Sequence, residues 1–117
     1  MLAVDPQSRG VYVLRSERSL PESQRHKFSA RFLTCREHAA HRRKLAEAMA
    51  QNDDESVMNA VAGSMKGVLV SVSGPRLTLA EPADPVALLD VLTMPELLEL
   101  AYGIGAINAV DEIDVKN

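Results

Sequence analysis

The clearest pattern in the chain is the alternation Lys27-Phe28-Ser29-Ala30-Arg31-Phe32. Phe28, Ala30 and Phe32 fall on one side and Lys27, Ser29 and Arg31 on the other, the period-two signature of a strand with one wet face. Upstream, Val11-Tyr12-Val13-Leu14 follows Gly10 and is β-branched and aromatic, so it predicts a strand running into the polar loop 16–26, where Pro21 rules out a continuous helix. The two strands are expected to pair antiparallel.

From Thr34 the period changes. Thr34 and Glu37 have the spacing of a capping box, in which hydroxyl and carboxylate satisfy the first exposed amides of a helix. Ala39, Ala40, Leu45, Ala46, Ala48 and Met49 then favour helix until Gln51-Asn52-Asp53 ends the run. Asp53 or Asp54 suits the cap of a second helix, with Val57, Met58, Val61 and Met65 at helical spacing, reaching about Lys66. Residues 67–80 read as extended, with a turn at Ser73-Gly74-Pro75 and a second short strand at Leu77–Leu79. Asp84 and Pro85 predict a short helix to Leu92. Thr93 and Glu96 repeat the capping box and open the longest apolar stripe: Leu97, Leu98, Leu100, Ala101, Ile104 and Ile107. Gly103 and Gly105 interrupt that stripe and mark either close helix packing or fraying, with packing favoured because Ile104 and Ile107 continue the stripe. The fold class predicted is α+β: an N-terminal antiparallel strand pair, then a mainly helical body of about four helices, with room for an extra short hairpin. The span 1–117 reads as a single domain with an N-terminal arm at 1–10 and an acidic tail at 109–117.

Composition adds two constraints. With Tyr12, Phe28, Phe32 and Tyr102 the sole aromatics, aliphatic side chains and Met must fill the core, and a single cysteine, Cys35, excludes an internal disulfide. No stretch approaches the ~20 apolar residues of a membrane span, and the first residues lack a signal-peptide pattern, so a location away from membranes and export is expected. Charge is more telling. Residues 1–44 carry ten Lys/Arg against four acids, whereas the remainder carries three against twelve. Such asymmetry points to complementary surfaces, within the fold or between neighbouring molecules, although solvated faces of ordinary amphipathic elements explain it equally well.

Candidate chemistry is sparse. Cys35, His38 and His41 look like a metal set, but Cys35 and His41 stand about 240° apart around a helix and a fourth ligand is missing, so no metal and no cofactor is expected. The three histidines read as rim or loop residues. Phosphate-binding glycine motifs and the nucleophile elbow are absent, and no catalytic residue is assigned. Arg36, Arg42, Arg43 and Lys44 give one helix a basic face suited to phosphates, yet the acidic total and the lack of interleaved aromatics argue against nucleic acid. That helix has mainly alanines opposite its cations, which makes it a poor membrane anchor. Partner-binding candidates are therefore the edge of the strand pair with Tyr12, Val13 and Phe32, the cations Arg36, Arg42 and Arg43, and the stripe residues Leu97, Leu100 and Ile104, whose alternative role is the internal core.

The order of VYVLRSERSLPESQRHKFSARFLT, then T-C-R-E, the acidic break NDDE, and L-T-x-x-E-L-x-E-L-A at Leu92–Ala101 resembles small tailed-bacteriophage proteins, closest to the tail assembly chaperone class. The resemblance implies a non-enzymatic morphogenesis protein that works in the host cytoplasm. Its partners would be other phage structural proteins: it would hold tape-measure and tail-tube subunits soluble until they polymerise. Two alternatives stay open: a virion component, such as a capsid accessory or head–tail connector subunit, and a DNA-binding regulator. A homo-oligomer fits the charge asymmetry.

Overall fold

The structure is a computed structural model that describes residues 9–116, with side chains described from Arg9 to Ile107. Strand β2 (Lys27–Arg31) is the centre of a three-stranded antiparallel sheet, between β1 (Arg9–Tyr12) and β3 (Leu69–Ser73). Tyr12 lies opposite Phe28, Gly10 opposite Ala30, and Phe28 opposite Val72, so these residues share one face. Phe28, Ala30 and Val72 are buried there, and Lys27, Ser29 and Arg31 face outward, as the alternation predicts. On the wet face Lys27 pairs with Glu22 and Arg31 with Glu37, exposed contacts that solvent screens, so burial beneath the sheet holds it in place.

The first strand sits two residues earlier than its sequence suggests. Arg9 and Gly10, expected in an arm, belong to the ladder, while Leu14 leaves it and enters the core. Gly10 explains the shift: a Cβ there would lie 2.3 Å from Ile107 Cγ2, so the strand passes a helix where only glycine fits.

Helix α1 (Cys35–Met49) starts on the predicted capping box, with Thr34 Oγ1 accepting from the Glu37 amide and Glu37 accepting from the Thr34 amide. Helix α2 (Asp54–Ser64) is capped by Asp53, which accepts from the Ser56 amide at 2.8 Å. Gly67, at φ +80°, turns the chain from α2 into β3. The expected strand at Leu77–Leu79 contracts to one bridge between Leu79 and Val72. The Ala83 amide donates to the Val70 carbonyl, so β3's outer edge is covered. Asp84 caps its segment, but Pro85–Asp90 is a 3₁₀ helix rather than an α-helix reaching Leu92. Its two buried residues, Pro85 and Leu88, are three apart, and three-residue repeats line up on a 3₁₀ turn.

Helix α3 (Met94–Lys116) opens on the Thr93/Glu96 box and runs through the segment expected to be an acidic tail. No Gly or Pro follows Gly105 to stop it. Leu97, Leu100, Ala101 and Ile104 are buried among Leu45, Val61, Met65 and Leu88. Both interrupting glycines are contact points, as read from the stripe: a Cβ on Gly103 would lie 2.3 Å from Tyr12 Cε1, and one on Gly105 2.6 Å from His41 Cδ2.

These contacts reverse the usual effect of a helix glycine. Gly63, in α2, has nothing within 4 Å of an added Cβ, so Gly63→Ala is expected to raise stability by ~0.5–1 kcal/mol. Gly103→Ala and Gly105→Ala should each lower it by ~1–3 kcal/mol through overpacking. Urea unfolding midpoints of the three variants check this, and a stabilised Gly103→Ala would contradict the packing.

Candidate functional site: a groove between β1 and α3

The loop from Val13 to His26 is long and polar, yet a few side chains pin it. Arg25 donates from Nε to the Leu20 carbonyl at 2.8 Å and from Nη2 to the Arg18 carbonyl at 2.7 Å. Arg18 donates from Nε to the Val13 carbonyl at 3.0 Å, and its guanidinium stands 5.3 Å from the centre of the Tyr12 ring. His26 closes the loop. Its backbone amide donates to Glu17 Oε1 at 2.7 Å and its Nδ1 faces Glu17 Oε2 at 2.9 Å, while the Arg76 amide donates to its Nε2 at 3.2 Å. A ring nitrogen that accepts carries no proton, so this arrangement fixes the proton on Nδ1. Gly74 makes room for the ring: a Cβ there would lie 2.2 Å from it. Burial alone would raise the Glu17 carboxyl. The hydrogen bonds from the His26 amide and ring outweigh burial and hold it below the usual carboxylate range.

The pinned loop places Arg15 and Arg18 beside β1, facing α3. Tyr12 donates from its hydroxyl to Glu99 Oε2 at 2.6 Å, and the Arg15 amide donates to the same oxygen at 2.9 Å. Burial, then the bond to Glu99, pushes the Tyr12 phenol up to about 12. Between the strand and the helix runs an open groove of about 810 Å³. Its walls combine Val11, Tyr12 and Val13 with Leu98, Tyr102 and Gly103, and Arg15, Arg18 and Arg25 stand at one side. Val11 is 48% exposed and Tyr102 50%, large apolar groups that the core does not use. Three guanidinium groups line the groove with one carboxylate, Glu99, which already accepts two hydrogen bonds; Glu22 outside it offsets part of the Arg25 charge, and the remaining balance favours an anion.

The sequence-predicted partner residues divide. Tyr12 and Val13 line the groove. Phe32 is half-buried at the core's rim, its ring edge 3.0 Å from where a Cβ on Gly10 would sit. Arg36, Arg42 and Arg43 are exposed on α1 and do not border the groove. Leu97, Leu100 and Ile104 take their alternative role as core: each is at most 3% exposed, and burying a Leu or Ile side chain stabilises by ~1.5–3 kcal/mol, so they offer no surface. His26 lies in the loop, as expected, and is buried there, whereas His41, expected at the surface or rim, is buried in the core. His41 points inward from α1, with Nδ1 3.1 Å from the Ser64 carbonyl and Nε2 2.8 Å from that of Ala101, while Cys35 is exposed at the helix start. Among the described residues no group of His, Cys, Asp or Glu gathers to hold a metal. No helix there is long and apolar enough to cross a membrane.

Sequence reasoning missed Arg15, Arg18, Arg25, Glu99 and Tyr102. Tyr102 left a signal: it stands off the stripe of Leu97, Leu100, Ala101 and Ile104, an aromatic on the wet side of the longest helix. Glu99 left none, because its partners are 84 and 87 residues away. No family model matches the chain, nor does any curated protein or solved structure.

Two titrations report on this geometry. The folded-state value of Glu17 is depressed, so its contribution is present above the ordinary carboxylate value and lost as pH falls through the folded one. Glu17→Gln should therefore be less stable than wild type at pH 7, and the gap in urea midpoints should shrink on acidification; a constant gap contradicts the pairing. For Tyr12 the folded value is raised, so its contribution is full below the ordinary phenol value and lost as pH rises through about 12. Phenolate absorbance should show a step near pH 12 that disappears in Tyr12→Phe. No such step in wild type would contradict the Tyr12–Glu99 contact.

Proposed function

We propose that this chain is a non-catalytic assembly protein of the tail assembly chaperone kind, holding an extended, acidic segment of a tape-measure or tail-tube subunit in the β1–α3 groove. The observation that carries the reading is the outer edge of β1. It has no strand beside it among the described residues, and it runs next to exposed Val11 and Tyr102 and the cations Arg15 and Arg18. A strand edge with no strand beside it among the described residues offers backbone groups at Val11 and Tyr12 to a partner strand, and alternate side chains of that strand would enter the groove. Aromatic and arginine anchors are the residue types that dominate binding energy at such contacts. The buried imidazoles are spent on structural hydrogen bonds, and that supports a binding role over an acid–base one.

Co-expression with the tape-measure and tail-tube subunits of the same genome, followed by calorimetry on the captured pair, tests the reading. Tyr102→Glu and Arg18→Glu should each weaken binding at least about tenfold, which is ~1.4 kcal/mol, with the circular dichroism unchanged. Capture lost instead on Arg42→Glu with Arg43→Glu would move the docking face to α1. Retardation of nonspecific DNA that weakens steeply with salt, with no subunit captured, would support the DNA-binding alternative.

A further inference from the structure

We propose that, with no client bound, the groove takes the acidic C-terminal turns of α3 from a second copy of the chain. The inference rests on the groove being a docking face, and not on which subunit fills it. Three observations lead to it. The groove gathers Arg15, Arg18 and Arg25 around a carboxylate that already accepts two hydrogen bonds; Glu22 offsets part of the Arg25 charge, so an incoming acid meets net positive charge carried chiefly by Arg15 and Arg18. The chain supplies such acids itself, at Asp111, Glu112 and Asp114 near the end of α3. The backbone that bears them runs on past its own groove. Ile107 lines the groove, and the helix backbone continues unbroken to Lys116, which carries its last nine residues about 14 Å onward. With no Gly or Pro after Gly105, nothing turns that helix back.

A neighbour's helix end has no such constraint. The contact joins two different surfaces, so it is heterologous, and repeated copies form a ring or an open chain rather than a two-fold dimer. A client then competes with the neighbour's acidic turns for the same cations.

Sedimentation velocity on the full chain at about 100 µM tests this. At low salt, species heavier than the 12.7 kDa chain are expected, and they should revert to monomer near 1 M salt, where screening acts within about 3 Å. Arg15→Glu with Arg18→Glu should abolish assembly, and so should Asp111→Lys, Glu112→Lys and Asp114→Lys together. Mixing the two reversed variants should restore a complex. Wild type monomeric throughout, either reversed variant assembling like wild type, or a mixture that stays monomeric would overturn the proposal. If circular dichroism shows the double arginine variant unfolded, Arg15→Ala replaces it, since Arg15 commits only its backbone amide to Glu99; it should raise the concentration needed for assembly at least about fivefold. An unchanged concentration would count against the proposal. Failed self-assembly with intact client capture sinks this inference alone, and self-assembly without client capture sinks only the chaperone reading.

Discussion

Everything else in the molecule depends on how closely α3 approaches its neighbours. Gly103 lets the helix lie on the Tyr12 ring, Gly105 lets it lie on His41 of α1, and Gly10 lets β1 pass Ile107. A helix-interior glycine costs roughly 1 kcal/mol relative to alanine. Two of them are tolerable because the approach buries Leu97, Leu100 and Ile104, each worth ~1.5–3 kcal/mol. The groove follows from the same contact. With the Tyr12 ring laid across Gly103, Tyr102 stands on the outer side of α3, facing solvent.

Local rules made much of the fold legible. The boxes at Thr34/Glu37 and Thr93/Glu96, the caps at Asp53 and Asp84, and the alternation of residues 27–31 each involve groups within a few positions of one another. What was not legible needed the third dimension. β1 starts at Arg9 because Ile107 lies opposite Gly10, and α3 continues past Ile107 because acidity alone does not end a helix. β3 joins β2 through a register that breaks between Ser29 and Ala30, a detail no propensity encodes. The site was half visible: Tyr12 and Val13 follow from an exposed strand edge, whereas the arginines take their places through backbone carbonyls within the loop itself.

The two buried histidines show how one residue type serves opposite arrangements. His26 accepts a hydrogen bond at one nitrogen and faces a carboxylate with the other, so one ring satisfies both contacts. His41 faces a carbonyl oxygen at each nitrogen, bringing the end of α2 and the middle of α3 onto α1. The first fixes the loop that carries the cations. The second fixes the helix that forms the opposite wall, so the width of the groove is set by polar contacts on both sides.

The scarcity of aromatic residues has an optical consequence. The chain has no tryptophan and two tyrosines, and both tyrosines border the groove. Tyrosine emission therefore originates at the groove, one ring hydrogen-bonded to a carboxylate and the other half-exposed to water. Whatever settles there changes the brightness of the molecule itself, with no dye attached.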